Sequence, residues 1–204
     1  MALTVALPPT HWLPERAAKE VSLGTVWHNA RQDVIDGCKA GDRKAQFDLY
    51  KLYAKAMYNV CVRITGNTAE AEDVLQEAFL QVFNKIALYR GDATFGAWLK
   101  RIVINAALNT VRKRRLTFVE LVSGEHELVE VGQPDEEELL LQVAQVRQAV
   151  QQLPDGYRIV FSLYLLEGYD HAEIAEILGI SVSTSKTQYN RAKKRLLELL
   201  KERK

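Results

Sequence analysis

Five side chains between Thr94 and Arg114 fall within about a quarter-turn of one another at helical pitch: Trp98, Arg101, Asn105, Asn109 and Arg112. An indole, two amides and two guanidinium groups on one line suit a nucleic-acid strand. Aromatic rings and arginine planes stack on bases, amides bond base edges, and arginine pairs with phosphate. The alternative is a buried tryptophan anchoring a core, with the asparagines bonded to backbone. The stripe runs straight into Arg112-Lys113-Arg114-Arg115, and that favours nucleic acid. A second set lies near the end of the chain. Wound at 100° per residue from Val182, the sequence puts Tyr189, Ala192, Leu196 and Leu199 on one side. Ser183, Thr187, Asn190, Arg191 and Lys194 fall opposite, with Lys186 at the flank. Hydroxyls, an amide and cations on one face are the groups that bind phosphates and base edges.

These sets need rigid helices to carry them. Asp170 followed by Glu173 is a capping-box pattern, and it opens a short helix to Leu178. Ala175 supplies the small residue and Gly179 the turn of a helix-turn-helix, a unit that lays its second helix in the DNA major groove. Upstream, Gly41-Asp42 opens a helix with Phe47, Leu49, Tyr50, Leu52, Tyr53, Met57, Val60 and Cys61 as its apolar stock, and Gly66-Asn67 stops it. Asn67 caps the next helix, with Glu70 at the third position and Val74, Leu75, Ala78, Phe79, Val82, Phe83 and Ile86 along it. Tyr89-Arg90-Gly91-Asp92 breaks that pattern, and a further helix spans about Thr94 to Arg114. The stretch Leu116–Asp135 is polar and irregular, with Gly124, Gly132 and Pro134, and strand-like alternation only at Leu116–Val122. A second helical unit starts near Glu136, with breaks at Leu153-Pro154-Asp155-Gly156 and at Gly168. The expected fold is all-α: an arm over 1–30, a helical domain over 31–115, a linker over 116–135, and a second helical domain over 136–204.

The net charge of this 204-residue chain is +1, so no global basic field exists. The charge is segregated instead. Lys100, Arg101 and Arg112 to Arg115 form a basic block, and Glu120, Glu125, Glu127, Glu130 and Asp135 to Glu138 form an acidic one. Cys38 and Cys61 stand 23 residues apart without companions at ligand spacing, which argues against zinc and against a disulfide framework. No metal or cofactor is expected. No apolar run approaches a membrane span, and Met1–Pro14 lacks the basic start of a signal peptide. His11, His28, His126 and His171 lie scattered, the acids crowd into the linker, and no glycine-rich phosphate loop is present. Nothing there makes a catalytic set, so an enzyme is not expected.

Taken in order, the motifs resemble a known family. Asp73-Val74-Leu75-Gln76-Glu77-Ala78-Phe79 resembles region 2 of bacterial sigma factors. Arg90-Gly91-Asp92, Phe95, Trp98-Leu99, Arg101-Ile102 and Asn105 resemble the adjoining promoter-opening segment. Leu153-Pro154, Gly168-Tyr169, Glu173-Ile174-Ala175, Leu178-Gly179-Ile180-Ser181 and Arg191-Ala192 resemble region 4. Two such domains and no others is the layout of the extracytoplasmic-function, or group 4, sigma-70 factors, and the resemblance covers about Ile35 to Leu200.

The resemblance implies a protein that binds core RNA polymerase, directs it to promoters and helps melt the DNA. Asp73, Gln76, Glu77 and Phe79 would dock on the β′ clamp helices, and region 4 would meet the β flap. Tyr89, Arg90, Gly91, Asp92 and Phe95 would form a loop that holds a flipped base of the −10 element, with Tyr89 as its lid. Base capture needs a concave, backbone-rich loop closed by aromatics, because unstacking costs a few kcal/mol. The stripe from Trp98 to Arg112 would follow the melted strand. Ser183, Lys186, Thr187, Asn190, Arg191 and Lys194 would read the −35 duplex. The acidic linker would thread the channel that later carries RNA. The resemblance further implies an anti-sigma partner, a bacterial cytoplasmic location and no membrane contact. Two positions depart from the family pattern: Ser185, where relatives mostly carry an aliphatic residue, and Gln188, where they often carry a basic one. The competing reading is a one-component regulator with the same helix-turn-helix and an N-terminal sensing domain, which would not need the Trp98–Asn105 stripe.

Overall fold

The computed structural model describes residues 32–117 and 145–201, with side chains of the first segment through Arg114. The arm, the acidic linker beyond Thr117, the alternation at 118–122 and the helical start near Glu136 lie outside the described residues. Among the described residues eight α-helices follow in order, joined by two irregular helical turns. They are α1 Gln32–Lys39, α2 Arg43–Thr65, α3 Thr68–Lys85, a 3-10 turn Ile86–Leu88, α4 Phe95–Thr117, α5 over residues 145–151, α6 Asp155–Phe161, a π-helical turn Ser162–Leu166, α7 His171–Leu178 and α8 Val182–Lys201. No strand occurs among the described residues.

The helix ends follow the punctuation in the sequence. Asp42 caps α2 by accepting from the Lys44 amide, and Gly66 closes it at φ 70° with its N–H on the Val62 carbonyl. Asn67 caps α3 by accepting from the Glu70 amide. The box expected at Asp170 is complete: its carboxylate accepts from Ala172 and Glu173, and the Glu173 carboxylate accepts from the Asp170 amide at 2.7 Å. Gly179 sits at φ 68° with its N–H on the Ala175 carbonyl, which turns the chain into α8. The expected end of the Thr94 helix moves: α4 runs on through Thr117, so Leu116 and Thr117 belong to the helix rather than to the linker.

The first unit is a bundle of α2, α3 and α4 with α1 against α2. Its core includes Leu49, Tyr53, Met57, Val60, Ile64, Val74, Val82, Leu99, Val103 and Ile104. Cys38 and Cys61 are free and buried in it, and burial pushes the Cys61 thiol up to about 12. A second core joins α5, α6 and α8 through Ala149, Val150, Leu153, Phe161, Ala192, Leu196 and Leu199. The two units touch. Ile159, Val160, Leu163 and Ile174 of the second pack into the core of the first.

Candidate nucleic-acid and polymerase interfaces

The last helix, α8, is amphipathic in the expected sense. Ala192, Leu196 and Leu199 are buried and Tyr189 is half-buried, while Ser183, Lys186, Thr187, Asn190 and Arg191 are exposed and Lys194 partly so. The unusual Ser185 has a structural explanation. It is fully buried, and its hydroxyl meets Nδ1 of His171 at 2.9 Å. The His171 ring in turn stacks on Tyr164 at 4.4 Å, and Tyr189 packs edge-on to it. Burial and the nearby Lys186 hold the His171 imidazole below its usual value, against the pull of Asp170. A polar pair under an aromatic lid thus takes the place of an aliphatic contact between α7 and α8. Gln188 is half-buried and lines a small groove of about 120 Å³ with Leu108, Val111 and Arg112 of α4, Leu178 of α7 and Ile180 of the turn.

On α4, Asn105, Asn109 and Arg112 are exposed, while Trp98 and Arg101 are half-buried. The stripe is therefore open along its C-terminal half. Arg112 donates to the Asn109 side chain at 3.4 Å and to the Ile177 carbonyl of α7 at 3.2 Å. Arg101 is partly desolvated, which lowers its basicity, although Tyr169 and Glu176 pull the other way. At its N-terminal end the stripe meets an aromatic cluster. Tyr89 packs edge-on to Phe95 at 5.2 Å and tilted on Trp98 at 5.5 Å, and Phe95 meets Tyr53 at 5.7 Å.

The loop before α4 is held shut from within. The Tyr89 hydroxyl donates to the Ala93 carbonyl at 2.6 Å, and Lys39 of α1 donates to the Tyr89 carbonyl at 3.2 Å. Gly91 takes φ 84°, a conformation that a side chain would strain, while Arg90 and Asp92 point to solvent. Burial, with Asp92 nearby, raises the Tyr89 phenol. Tyr89 is thus a staple of the loop rather than a free lid. Phe95, expected at the DNA surface, is 2% exposed and belongs to the core under the loop.

The face of α3 expected to meet polymerase is present with one change. Asp73, Gln76 and Glu77 are exposed, but Phe79 is 3% exposed and packs on Tyr50 and Phe83. Phe79 follows Leu75 by four residues and precedes Val82 by three, so it shares their buried side. The exposed apolar member of the acidic stripe is Leu80, at 65%. Phe47 and Tyr50 on α2 extend the apolar surface, and Lys51 lies over the Phe47 ring. A further apolar patch, Tyr164, Leu165 and Leu166, is exposed on the π-helical turn of the second unit. No group of acids, histidines and cysteines that could hold a metal occurs among the described residues. Among them, no helix is long and apolar enough to cross a membrane.

Comparison with known proteins agrees with this anatomy. The family "Sigma-70 region 2" matches residues 49–117, and "Sigma-70, region 4" matches residues 144–196. The chain is 32% identical over 178 residues to the ECF RNA polymerase sigma factor SigW of Bacillus subtilis (strain 168), across 82% of this chain and 95% of that relative. It is 33% identical over 186 residues to the RNA polymerase sigma-H factor of Pseudomonas aeruginosa, across 84% of this chain and 96% of that relative. In fold it is similar to the sigma factor RpoE of Bartonella quintana, solved with the anti-sigma factor NepR, with a TM-score of 0.51, 24% identity and coverage of 76% and 95% of the two chains. It is also similar to CnrH, solved with the cytosolic domain of CnrY, with a TM-score of 0.50, 23% identity and coverage of 84% and 97%. Near-full-length likeness to sigma factors sets aside the one-component regulator, whose N-terminal half would be a sensing domain. Two all-helical units, one with an amide and arginine stripe and one with a capped helix-turn-helix, place this chain in the extracytoplasmic-function group of the sigma-70 family.

Proposed function

We propose that the chain acts in the cytoplasm as a sigma factor that binds core RNA polymerase, recognises the −10 and −35 elements and promotes promoter melting. The observation that carries this reading is the division of faces on α8, where Lys186, Thr187, Asn190 and Arg191 stand exposed on the helix that follows α7, itself closed by a complete capping box and an αL glycine. That helix would read the −35 duplex. The stapled loop from Tyr89 to Ala93 would present its backbone to an unstacked base, with Asn105 beyond it, and the line through Asn109 to Arg112 would follow the single strand. The Asp73–Gln76–Glu77–Leu80 stripe would dock on a basic helix of polymerase, with Phe47 and Tyr50 at its edge. The exposed Tyr164–Leu166 patch offers region 4 a separate apolar contact with polymerase, where the β flap would lie. A protein partner such as the one solved with RpoE would regulate the chain.

The test is capture of core polymerase by the full chain, followed by transcription from a library of promoter fragments and sequencing of the products. Binding and a shared two-element motif are expected. Failure to bind core enzyme would overturn the reading.

A further inference from the structure

His171 is the first residue of α7, and its partner Ser185 directly precedes Lys186, one of the exposed cations of α8. Three side chains hold the ring. Tyr164 of the π-helical turn stacks on it at 4.4 Å and 14°, Tyr189 meets it edge-on at 5.7 Å, and the Ser185 hydroxyl bonds its Nδ1 at 2.9 Å. The turn that carries Tyr164 is itself anchored. Glu167 at its end pairs with Arg63 and, at 3.1 Å, with Lys100, and Arg158 of α6 donates to the Ile64 and Thr65 carbonyls at 3.0 Å each. The other ring nitrogen, Nε2, has no hydrogen-bond partner among the described residues and keeps access to solvent.

The charges around the ring keep it neutral in the free chain. Burial and Lys186 disfavour the imidazolium, and Asp170 at the cap opposes them without prevailing. The N-terminal end of the α7 dipole acts in the same sense as Lys186. Glu173 is turned to the Asp170 amide, and Lys193 lies 5.0 Å from the centre of the Tyr189 ring, whose phenol is pushed up by burial and by Tyr164. A phosphate at Lys186 reverses this balance. It cancels the repulsion of the ammonium and adds an opposite charge beside the ring. Lysines and helix N-termini are the groups that take phosphates, and both are present here. An imidazolium carries an N–H on each nitrogen, so Nε2–H can meet the phosphate while Nδ1–H needs an acceptor. Ser185 serves both states of the ring. Its hydroxyl donates to a bare Nδ1 or accepts from Nδ1–H, turning its own hydrogen to the carbonyl four residues back. An aliphatic side chain at this fully buried position would leave Nδ1–H without a partner.

We propose that binding of the −35 duplex is coupled to uptake of one proton by His171. The proton comes from solvent and completes the imidazolium, with Nδ1–H on Ser185 and Nε2–H on a backbone phosphate beside Lys186. The proposal rests on the reading of α8 as the −35 reader. The complex binds more protons than the free chain, so the gain in affinity is fully present below the free-chain value of the ring and is lost as pH rises through the higher value in the complex. Each unit between the two values is worth about tenfold in affinity, and a phosphate within about 4–6 Å separates them by about one unit or more. The grip on the −35 element therefore tightens as pH falls.

The experiment uses the full chain bound to core polymerase and a fluorescein-labelled duplex that carries only the −35 element of a selected promoter, with core enzyme alone as background. Anisotropy titrations run from about pH 6 to about pH 8 at constant ionic strength. The parent should bind about tenfold more tightly at the acid end than at the alkaline end. His171→Gln removes the titrating ring, and Ser185→Val removes the acceptor for Nδ1–H; each should abolish most of that dependence. His171→Phe keeps a ring to stack on Tyr164 and repeats the comparison should the glutamine variant melt early. NMR of the imidazole nitrogens in the free chain gives a second reading. The His171 signal, identified by its loss in His171→Gln, should titrate below the ordinary histidine value of about 6.5. Parallel pH profiles in the parent and the two His171 variants would overturn the proposal. So would an undiminished slope in Ser185→Val, a parent that binds more weakly toward acid, or a free-chain midpoint at or above the ordinary value. Failure of the parent to bind the duplex at any pH, with the expected midpoint in the free chain, would instead overturn the −35 reading on which the proposal rests.

Discussion

Removal of one oxygen from the loop before α4 should slow promoter opening without touching polymerase binding. The Tyr89 hydroxyl closes the loop by donating to the Ala93 carbonyl at 2.6 Å, and its ring is fixed by Phe95 and Trp98. Tyr89→Phe deletes the hydrogen bond and keeps the ring. A net loss of about 1 kcal/mol is expected for such a bond, which lowers the closed-loop population relative to the open one about fivefold. Tyr89→Ala also loses two ring contacts of about 0.5–1.5 kcal/mol each, in addition to apolar burial. The combined loss of about 2–4 kcal/mol predicts opening slowed by roughly thirty- to several-hundredfold. The assay is permanganate reactivity of promoter thymines over time after mixing with holoenzyme. A pre-melted bubble should restore most of the rate, because the loop is needed when a base leaves the stack. If both variants open a duplex promoter as fast as the parent, Tyr89 is ordinary core packing and the base-capture loop is wrong. If Tyr89→Ala loses core binding in proportion to opening, the defect is one of folding.

Arg191→Ala and Lys186→Ala should each weaken binding to −35 duplex by about 1–3 kcal/mol if the contact is base-specific, with core affinity unchanged, as measured by fluorescence anisotropy. Leu80→Glu should weaken core binding by about 1–2 kcal/mol, whereas an apolar exchange such as Leu80→Met should not, because Leu80 is the exposed apolar member of the acidic stripe. Asp155 is partly desolvated, yet hydrogen bonds from Arg114 and Arg158 hold its carboxyl below the usual carboxylate range of about 3.9. Its contribution is therefore complete above about pH 4 and lost as pH falls through the lowered value, so parent and Asp155→Asn melting temperatures should differ at pH 7 and converge in strong acid.

What could be read from the sequence was local. Asp42, Gly66, Asn67, Asp170, Glu173 and Gly179 act on neighbours a few residues away, and each did at its place what its type suggests. The faces of α8 were legible for the same reason. Phe79 and Phe95 show where motif resemblance misleads: the resemblance sends both to partner surfaces, yet each turns inward. The spacing of Leu75, Phe79 and Val82 held the correct answer for Phe79. Ser185 stands in the sequence only as a departure from the family pattern, because its partner His171 lies 14 residues away on another helix. Arg158 and Glu167 were not legible at all. Their partners in the first unit stand 67 to 104 residues earlier, and no periodicity relates an arginine after a proline turn to the last carbonyls of another helix.

The π-helical turn bears on how such proteins can be recombined. At Ser162–Leu166 the Glu167 amide bonds back five residues to Ser162, and Tyr169 closes the end on Leu163. A wide turn of this kind accommodates one residue more than a regular helix would. Removal of that residue would let the backbone relax to ordinary pitch and would rotate everything after it by about 100°. The rotation would carry Glu167 away from its cations and swing α7 and α8 around the axis of α6. A chimera that borrows another protein's recognition helix should therefore be spliced with the turn kept whole on one side of the junction, since loss of a single residue there would misaim an otherwise correct DNA-reading surface.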